Sequence, residues 1–223
     1  MINNNIKTFR LRNRKLTKQQ LNFINLYWPI FGLNCNKKNN LNYYFYNNPI
    51  ILDIGFGFGD SIIYLSKKYS YVNFVGIEVY IPGISFCLKN IHFYNLKNVK
   101  IFYGNAINYL NYYIKNTMLY RVNIFFPDPW PKRRHYKRRI IQKNIIKKIS
   151  KNLILNGFFH ILTDSYSYFK HIKIVFNQFI EFKKISKKNI INFLKTEKIY
   201  TRFLNKAKFK KNKIYTMIYK KIF

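Results

Sequence analysis

The sequence predicts a doubly wound, mostly parallel α/β sheet, and three observations predict it. From residue 49 onward, short apolar runs alternate with stretches of helical periodicity, the order that a parallel sheet with crossover helices requires. The first run ends in a turn with glycines at alternate positions, Gly55, Gly57 and Gly59. Four of the seven carboxylates, Asp53, Glu78, Asp128 and Asp164, fall at or just beyond the ends of predicted strands. Ligands bind beyond those ends in such sheets, so one cleft can gather all four.

The elements follow in chain order. Residues 1–48 read as a basic leader with an Asn-rich loop over 34–48, and residues 49–223 as the main domain. In the leader, Thr17 precedes Leu21, Phe23, Ile24, Tyr27 and Trp28, the start of a helix. Residues 49–54 form a first, buried strand. Asp60 or Ser61 is placed to cap a helix that buries Ile62, Ile63 and Leu65. Strands follow at 73–79, 99–103, 122–126 and 158–163. Helices lie between them: one after Pro82, one over 106–114, a long basic one over about 137–152, and one over about 166–179. Residues 181–213 are Lys-rich and poorly patterned, and 214–223 read as a last strand.

Composition narrows the class. A chain of 223 residues that is 48% hydrophobic can bury a sizeable core in one domain. No apolar run is long enough to span a membrane, and the polar, basic start is not a secretory signal. Cys35 and Cys87 are far apart and match no metal spacing; free thiols in a reducing cytoplasm are expected. With 41 Lys plus Arg against 7 Asp plus Glu, the net charge is +34, a field that attracts a polyanion such as nucleic acid. The chain is also rich in Asn, Ile, Lys, Tyr and Phe, with Ala106 and Ala207 its only alanines. That pattern matches AT-rich codons, so the total charge is discounted in favour of where the arginines and carboxylates fall.

Two segments carry the chemistry. In Asp53-Ile54-Gly55-Phe56-Gly57-Phe58-Gly59-Asp60 the glycines let the backbone turn tightly and approach a ligand. The dinucleotide fingerprint wants Gly three residues after the second Gly, and Asp60 stands there. A carboxylate beside the loop suits a cationic ligand better than a pyrophosphate. Glu78, closing the second strand, is placed to accept from ribose hydroxyls. Asn105, beyond the third strand, is placed near an adenine edge or is a plain loop residue. Together these fit S-adenosylmethionine, with its positive methionine end and neutral adenosine. In Phe126-Pro127-Asp128-Pro129-Trp130, two prolines stiffen the loop and fix Asp128 over the cleft. Lys132, Arg133, Arg134, Lys137, Arg138 and Arg139 follow it. At the start of a helix they would oppose the macrodipole, so an external phosphate is the expected partner.

At these residues the sequence resembles the bacterial tRNA (guanine-N7)-methyltransferase family over nearly its whole length. The resemblance includes Phe9-Arg10 to Arg14, Leu16-Thr17, Tyr27-Trp28-Pro29, the turn from Asp53 to Gly59, and Gly76-Ile77-Glu78-Val79 with Pro82-Gly83. Its most specific part runs from Phe126 to Arg139. Thr163-Asp164 and Thr201-Arg202-Phe203 complete it. The resemblance implies a Rossmann-like class I methyltransferase fold with a seven-stranded sheet. It implies that Asp53, Gly55, Gly57, Glu78, Asn105 and Asp128 bind the cofactor S-adenosylmethionine, and that Asp128 is catalytic. It implies that Lys132, Asp164, Thr201, Arg202, Phe203 and Leu204 bind tRNA, at the variable-loop guanine, position 46. The family usually has an acid where Asn105 stands, Glu where Leu204 stands and often His where Pro131 stands. No metal, membrane or obligate protein partner is expected, and a monomer or homodimer is. The rival reading is a tRNA-binding protein that keeps the fold with weakened catalysis.

Overall fold

The computed structural model describes residues 8–9, 15–33, 49–112 and 119–223. Its elements begin with helix α1 (Lys18–Phe31), strands β1 (Gly32–Leu33) and β2 (Ile50–Ile54), and helix α2 (Asp60–Lys68). Strand β3 (Asn73–Glu78), helix α3 (Ile81–Phe93), strand β4 (Val99–Tyr103), helix α4 (Ala106–Tyr112) and strand β5 (Leu119–Phe125) follow. A 3-10 helix (Arg133–Arg138), α5 (Lys143–Ser150), β6 (Leu153–Thr163) and α6 (Tyr166–Phe176) come next. The chain closes with β7 (Phe182–Lys184), α7 (Lys187–Thr196), α8 (Arg202–Phe209) and β8 (Tyr215–Lys221).

All eight strands join one sheet in the order β1-β4-β3-β2-β5-β6-β8-β7. The pairs from β1 to β6 are parallel; β8 runs antiparallel to β6 and β7. The order reverses between β2 and β5, so a crevice opens beyond their carboxyl ends. The expected fold class holds, with one strand more than the seven expected: the two-residue β1 pairs with the edge of β4. On one face, Leu52, Val122, Ile124, Phe159 and Ile161 pack with Leu110, Ile146 and Ile172 of α4, α5 and α6. On the other, Ile51, Phe74 and Ile101 pack with Ile62, Leu65, Leu88 and Ile91 of α2 and α3. Among the described residues, no helix is long and apolar enough to cross a membrane.

Local chemistry explains the element ends, including where they depart from expectation. Thr17 caps α1: its hydroxyl accepts from the Gln20 N–H, and the Gln20 side chain accepts from the Thr17 N–H. Thr17→Ala is expected to cost about 1 kcal/mol. In a thermal melt that is a drop of about 2–4 °C; an unchanged midpoint would show that packing alone holds α1. The cap of α2 is neither Asp60 nor Ser61 but Gly59, at φ +82°. A Cβ there would come within 2.4 Å of the Cys87 sulfur, so helix α3 presses the turn into glycine geometry. Asp60 then sits in the first turn, where a negative charge favours the helix.

The long basic helix over 137–152 is not formed. The 3-10 turn ends at Arg138, Arg139 is extended (φ −63°, ψ 134°), and α5 starts only at Lys143. The break is enforced by burial, because Arg139, Ile140 and Ile141 all sink into the interior. Residues 181–213 contain three elements that the pattern does not reveal. Helix α7 buries only Ile190, and α8 only Leu204 and Ala207. So few anchors leave no visible period, and only the caps Ser186 and Thr201 mark the starts.

Candidate active site

A cavity of about 610 Å³ lies beyond the carboxyl ends of β2, β3, β4 and β5, at the reversal of strand order. Its walls come from four loops: Ile54 to Phe58, Glu78 to Pro82, Tyr103 to Ala106, and Phe125 to Asp128. Thr8, Phe9 and Lys15 of the leader and Phe203 of α8 complete it. Of the residues expected at the cofactor, Gly55, Gly57, Glu78 and Asp128 line this cavity together.

The glycine turn is a cradle. Gly57 has φ +63°, and a Cβ built on it meets nothing within 4 Å, so the space above it is open for a ligand. Glu78 holds the turn in place. One carboxylate oxygen accepts from the Gly57 N–H at 2.7 Å; the other accepts from Val79 and Tyr80 N–H at 2.6 and 2.9 Å. Burial raises the Glu78 carboxyl above its usual range, those three hydrogen bonds oppose the rise, and the charge of Asp128 adds to it. The oxygen that accepts from Gly57 keeps one lone pair free for a further donor; the other already accepts twice.

Asp53 is placed differently. It is 2% exposed and absent from the cavity wall, one residue before Ile54. In register beside it on β5 is Asn123, whose amide donates to Asp53 Oδ2 at 3.5 Å. Burial pushes the Asp53 carboxyl up to about 7, against the pull of Asn123 and the more distant Arg121 cation. Asn123 in turn accepts from Arg121 Nε at 2.6 Å. Arg121 is 2% exposed and gives its other nitrogens to Glu197 and to His160 Nδ1. A guanidinium only donates, so Nδ1 of His160 accepts and its proton sits on Nε2, which has no partner among the described residues. Burial and the Arg121 charge hold His160 neutral, well below its usual pKa. Phe158 and Phe193 close over the guanidinium, each 5.4 Å away.

The Pro-Asp-Pro-Trp loop is strained at both ends: Phe126 has φ +50° and Trp130 φ +43°. Left-handed geometry at two bulky residues costs on the order of 1–3 kcal/mol each, and persists where the surroundings impose it. Here they do. Phe126 N–H donates to Leu162 O at 2.8 Å, and the Trp130 indole is 5% exposed. Arg139 Nε donates to Pro129 O at 2.9 Å while its nitrogens reach Ser167, and the guanidinium lies 3.6 Å from the Tyr136 ring centre. Arg139 is therefore the clamp of this loop, not a member of an outward phosphate cluster. The result is a half-buried Asp128 held at the cavity edge.

The remaining expected residues scatter. The Asn105 side chain accepts from Ile107 N–H at 3.0 Å at the start of α4, while its neighbours Gly104 and Ala106 line the cavity. Asp164 is exposed and accepts from Asn212 at 3.0 Å. Lys132, Arg133, Arg134 and Lys137 are exposed beside the loop. Thr201 caps α8 by accepting from Leu204 N–H, and Arg202 lies 3.6 Å from the Phe58 ring centre and 3.6 Å from Asp60. Phe203 lines the cavity and stacks on Phe126 at 6.4 Å. Leu204 is 8% exposed and packs with Phe125 and Leu162, so it serves the core beneath the site. Thr8, Lys15, Phe58, Tyr80 and Tyr103 are wall residues that sequence reasoning missed. An aromatic beside a glycine at a strand end, as Tyr103 stands before Gly104, was the available signal. Residues 10–14, 34–48 and 113–118, Cys35 among them, lie outside the described residues; Cys87 is a free, buried thiol.

Known proteins share this sequence and this fold. The family described as "Putative methyltransferase" matches residues 47–217. A tRNA (guanine-N(7)-)-methyltransferase of Buchnera aphidicola subsp. Baizongia pistaciae is 40% identical over 226 residues, covering 100% of this chain and 93% of its own length. One from Pseudoalteromonas translucida is 38% identical over 186 residues, 82% of this chain and 77% of its own. Among solved structures, an rRNA methylase from Streptococcus thermophilus aligns with TM-score 0.54 at 11% identity, covering 79% of this chain and 89% of its own. A "putative methyltransferase" from Streptococcus mutans in complex with SAH aligns with TM-score 0.52 at 14% identity, covering 79% and 90%. Those two likenesses establish the fold.

Proposed function

Since this chain belongs to the tRNA (guanine-N7-)-methyltransferase family, we propose that it methylates N7 of the variable-loop guanine, position 46, of tRNA, using Asp128 at the cavity edge. The carrying observation is the strained, Arg139-clamped loop that sets Asp128 facing the same cavity as the Gly57 cradle and Glu78.

The residues fit S-adenosylmethionine. The open space over Gly55 and Gly57 admits a ligand against bare backbone. Glu78, in the cavity wall with one lone pair to spare, would accept from a ribose hydroxyl, and Asp53 would supply the charge that suits an ammonium group. When bound, S-adenosylmethionine supplies a methyl group on a positively charged sulfur. The protein's work is then largely alignment. Guanine N7 has a lone pair and no hydrogen, so no general base is required. Well-oriented groups can supply roughly 7–11 kcal/mol of such a barrier. Asp128 accepts from the guanine N1–H or amino group, selects guanine over adenine, and stabilises positive charge that develops on the purine. Phe126 and Phe203 offer faces against which the base can stack. The guanine must leave its place in the folded tRNA at a cost of a few kcal/mol. Exposed Lys132, Arg133 and Arg134 beside the loop would hold phosphates and offset that cost.

The test is transfer of label from S-adenosylmethionine to unmodified tRNA transcripts with and without the variable-loop guanine. Label confined to transcripts that have the guanine, and mapped to N7, is expected. Label elsewhere refutes the site, and no label from a protein that binds tRNA refutes the catalytic reading.

A pH dependence follows from Asp53. Its carboxyl is raised to about 7, so in the ligand-free protein its contribution to stability is full below about pH 4 and lost as pH rises through 7. An ammonium group over the turn favours the ionised form. Affinity for S-adenosylmethionine is therefore expected to fall about tenfold from pH 8 to pH 6. Calorimetric titration of wild type and Asp53→Asn checks it. Parallel pH profiles for the two proteins would remove Asp53 from ligand binding.

A further inference from the structure

A second concavity, of about 580 Å³, lies between α2 and α3 on the outer side of the glycine turn. Its walls are aromatic: Phe58, Tyr64, Phe86, Tyr94 and Tyr200. Phe86, Tyr94 and Tyr200 are 39%, 42% and 42% exposed, although they are large rings that burial would favour. Its rim is basic. Lys67 and Lys68 are exposed, with Lys67 Nζ 3.8 Å over the Tyr94 ring and Lys68 Nζ donating to Thr196 O at 2.7 Å. The carboxylate that lines it, Asp60, is paired with Arg202 at 3.6 Å, which leaves Lys67 and Lys68 as the basic rim, with Glu197 acting on Lys68 from behind the wall.

The groove is joined to the active-site cavity. Phe58 forms a wall of both. Arg202 lies against Phe58 and Phe86, and the next residue, Phe203, lines the cavity itself. A chain whose one base occupies the cavity would pass its neighbouring nucleotide over this partition. Flat aromatic faces beside lysine ammonium groups are what a nucleotide needs: the base stacks and the phosphate pairs. The size is within the range of nucleotide-sized sites.

We propose that the groove between α2 and α3 binds a nucleotide of the tRNA next to the target guanine, its base on Tyr94 and Tyr64 and its phosphate on Lys67 and Lys68. This rests on the reading of the chain as a tRNA methyltransferase and adds a second contact outside the reacting cavity.

Two variants test it, Tyr94→Ser and the pair Lys67→Gln with Lys68→Gln. A control pair, Lys187→Gln with Lys188→Gln, makes the same charge change at exposed positions on α7. Each is measured for melting temperature, S-adenosylmethionine affinity, and tRNA affinity over a range of salt. Tyr94→Ser is expected to weaken tRNA binding about tenfold, the worth of one stacked base. The groove pair is expected to lower the slope of log affinity against log salt by about 1–2, and the control pair by less. S-adenosylmethionine affinity stays as in wild type. Unchanged tRNA affinity in a folded Tyr94→Ser, equal effects of the two lysine pairs, or a loss confined to S-adenosylmethionine would each overturn the proposal. Ultraviolet crosslinking of tRNA to the wild-type protein decides the matter should a variant not fold: label on peptides spanning 58–68 or 86–94 supports the groove, and its absence there refutes it. Failure of wild type to methylate any tRNA would instead strike the parent reading.

Discussion

Asp128→Ala is expected to lower kcat for methyl transfer by about 100- to 1000-fold, the usual cost of removing one positioned group that stabilises developing charge. The effect should fall on kcat because the carboxylate is matched to charge that appears only as the purine is methylated. The loop should survive the change. Its geometry is held by Pro127 and Pro129, by Phe126 bonded to Leu162, and by Arg139 on the Pro129 carbonyl, and all of these remain in the variant. Glu78 still holds the glycine turn, so S-adenosylmethionine should still bind the variant, with a loss of affinity that measures the contact Asp128 makes with it. Asp128→Asn separates hydrogen bonding from charge: it keeps an acceptor, and intermediate activity would apportion the two. Near-normal turnover in Asp128→Ala would end its catalytic role.

Glu197→Ala is expected to destabilise the protein by about 3–5 kcal/mol, because it leaves the Arg121 guanidinium buried without its counter-ion. For a chain of this size that is a fall in melting temperature on the order of 6–20 °C. Asn123 and His160 remain as hydrogen-bond partners but carry no negative charge. Replacing both partners by methionine should recover most of the loss, since apolar residues of similar volume often serve a buried site as well as an ion pair does. Thermal melts of the single and double variants distinguish the outcomes. A single variant that melts within a degree or two of wild type would mean that water reaches Arg121 when Glu197 is gone. The network also ties residue 197, just before α8, to Asn123 and so to Asp53 under the glycine turn. The double variant therefore also reads whether α8 keeps Phe203 at the cavity.

Much of the scaffold was legible because strong, local signals wrote it. Strand β4 coincides with the expected 99–103, since its apolar run is bounded by turns on both sides. Thr17 marked the start of α1, and the structure adds Gln20 as its capping partner. The glycine turn, Glu78 and the Asp128 loop converged as the spacing required, because each closes a strand and all strand ends of a parallel sheet face one way. Where legibility failed, a distant contact outweighed the local pattern. The Lys-rich stretch from 137 to 152 has helical composition throughout, yet burial of Arg139, Ile140 and Ile141 breaks it. Arg139 was expected outward on a phosphate because a cation at a helix start opposes the macrodipole, and the Pro129 carbonyl and the Tyr136 ring turn it inward instead.

By itself, the sequence determined the α/β class and the place of the crevice, and it brought Gly55, Gly57, Glu78 and Asp128 to the cavity wall. It also expected Asp53 and Asp164 there, which the structure does not place on that wall. The class and the crevice depend on alternation along the chain and on residues a few positions apart, and such relations survive in one dimension. The tertiary structure decided which charges face the cavity and which lie within the scaffold. Asp128 reaches the cavity, Asp53 lies under it, Asp164 turns to Asn212, and Glu197 sinks to meet Arg121. The physical reason is that a charged side chain takes its role from its dielectric surroundings and its partners. For Arg121 the partner is 76 residues away along the chain, a separation at which no spacing rule operates.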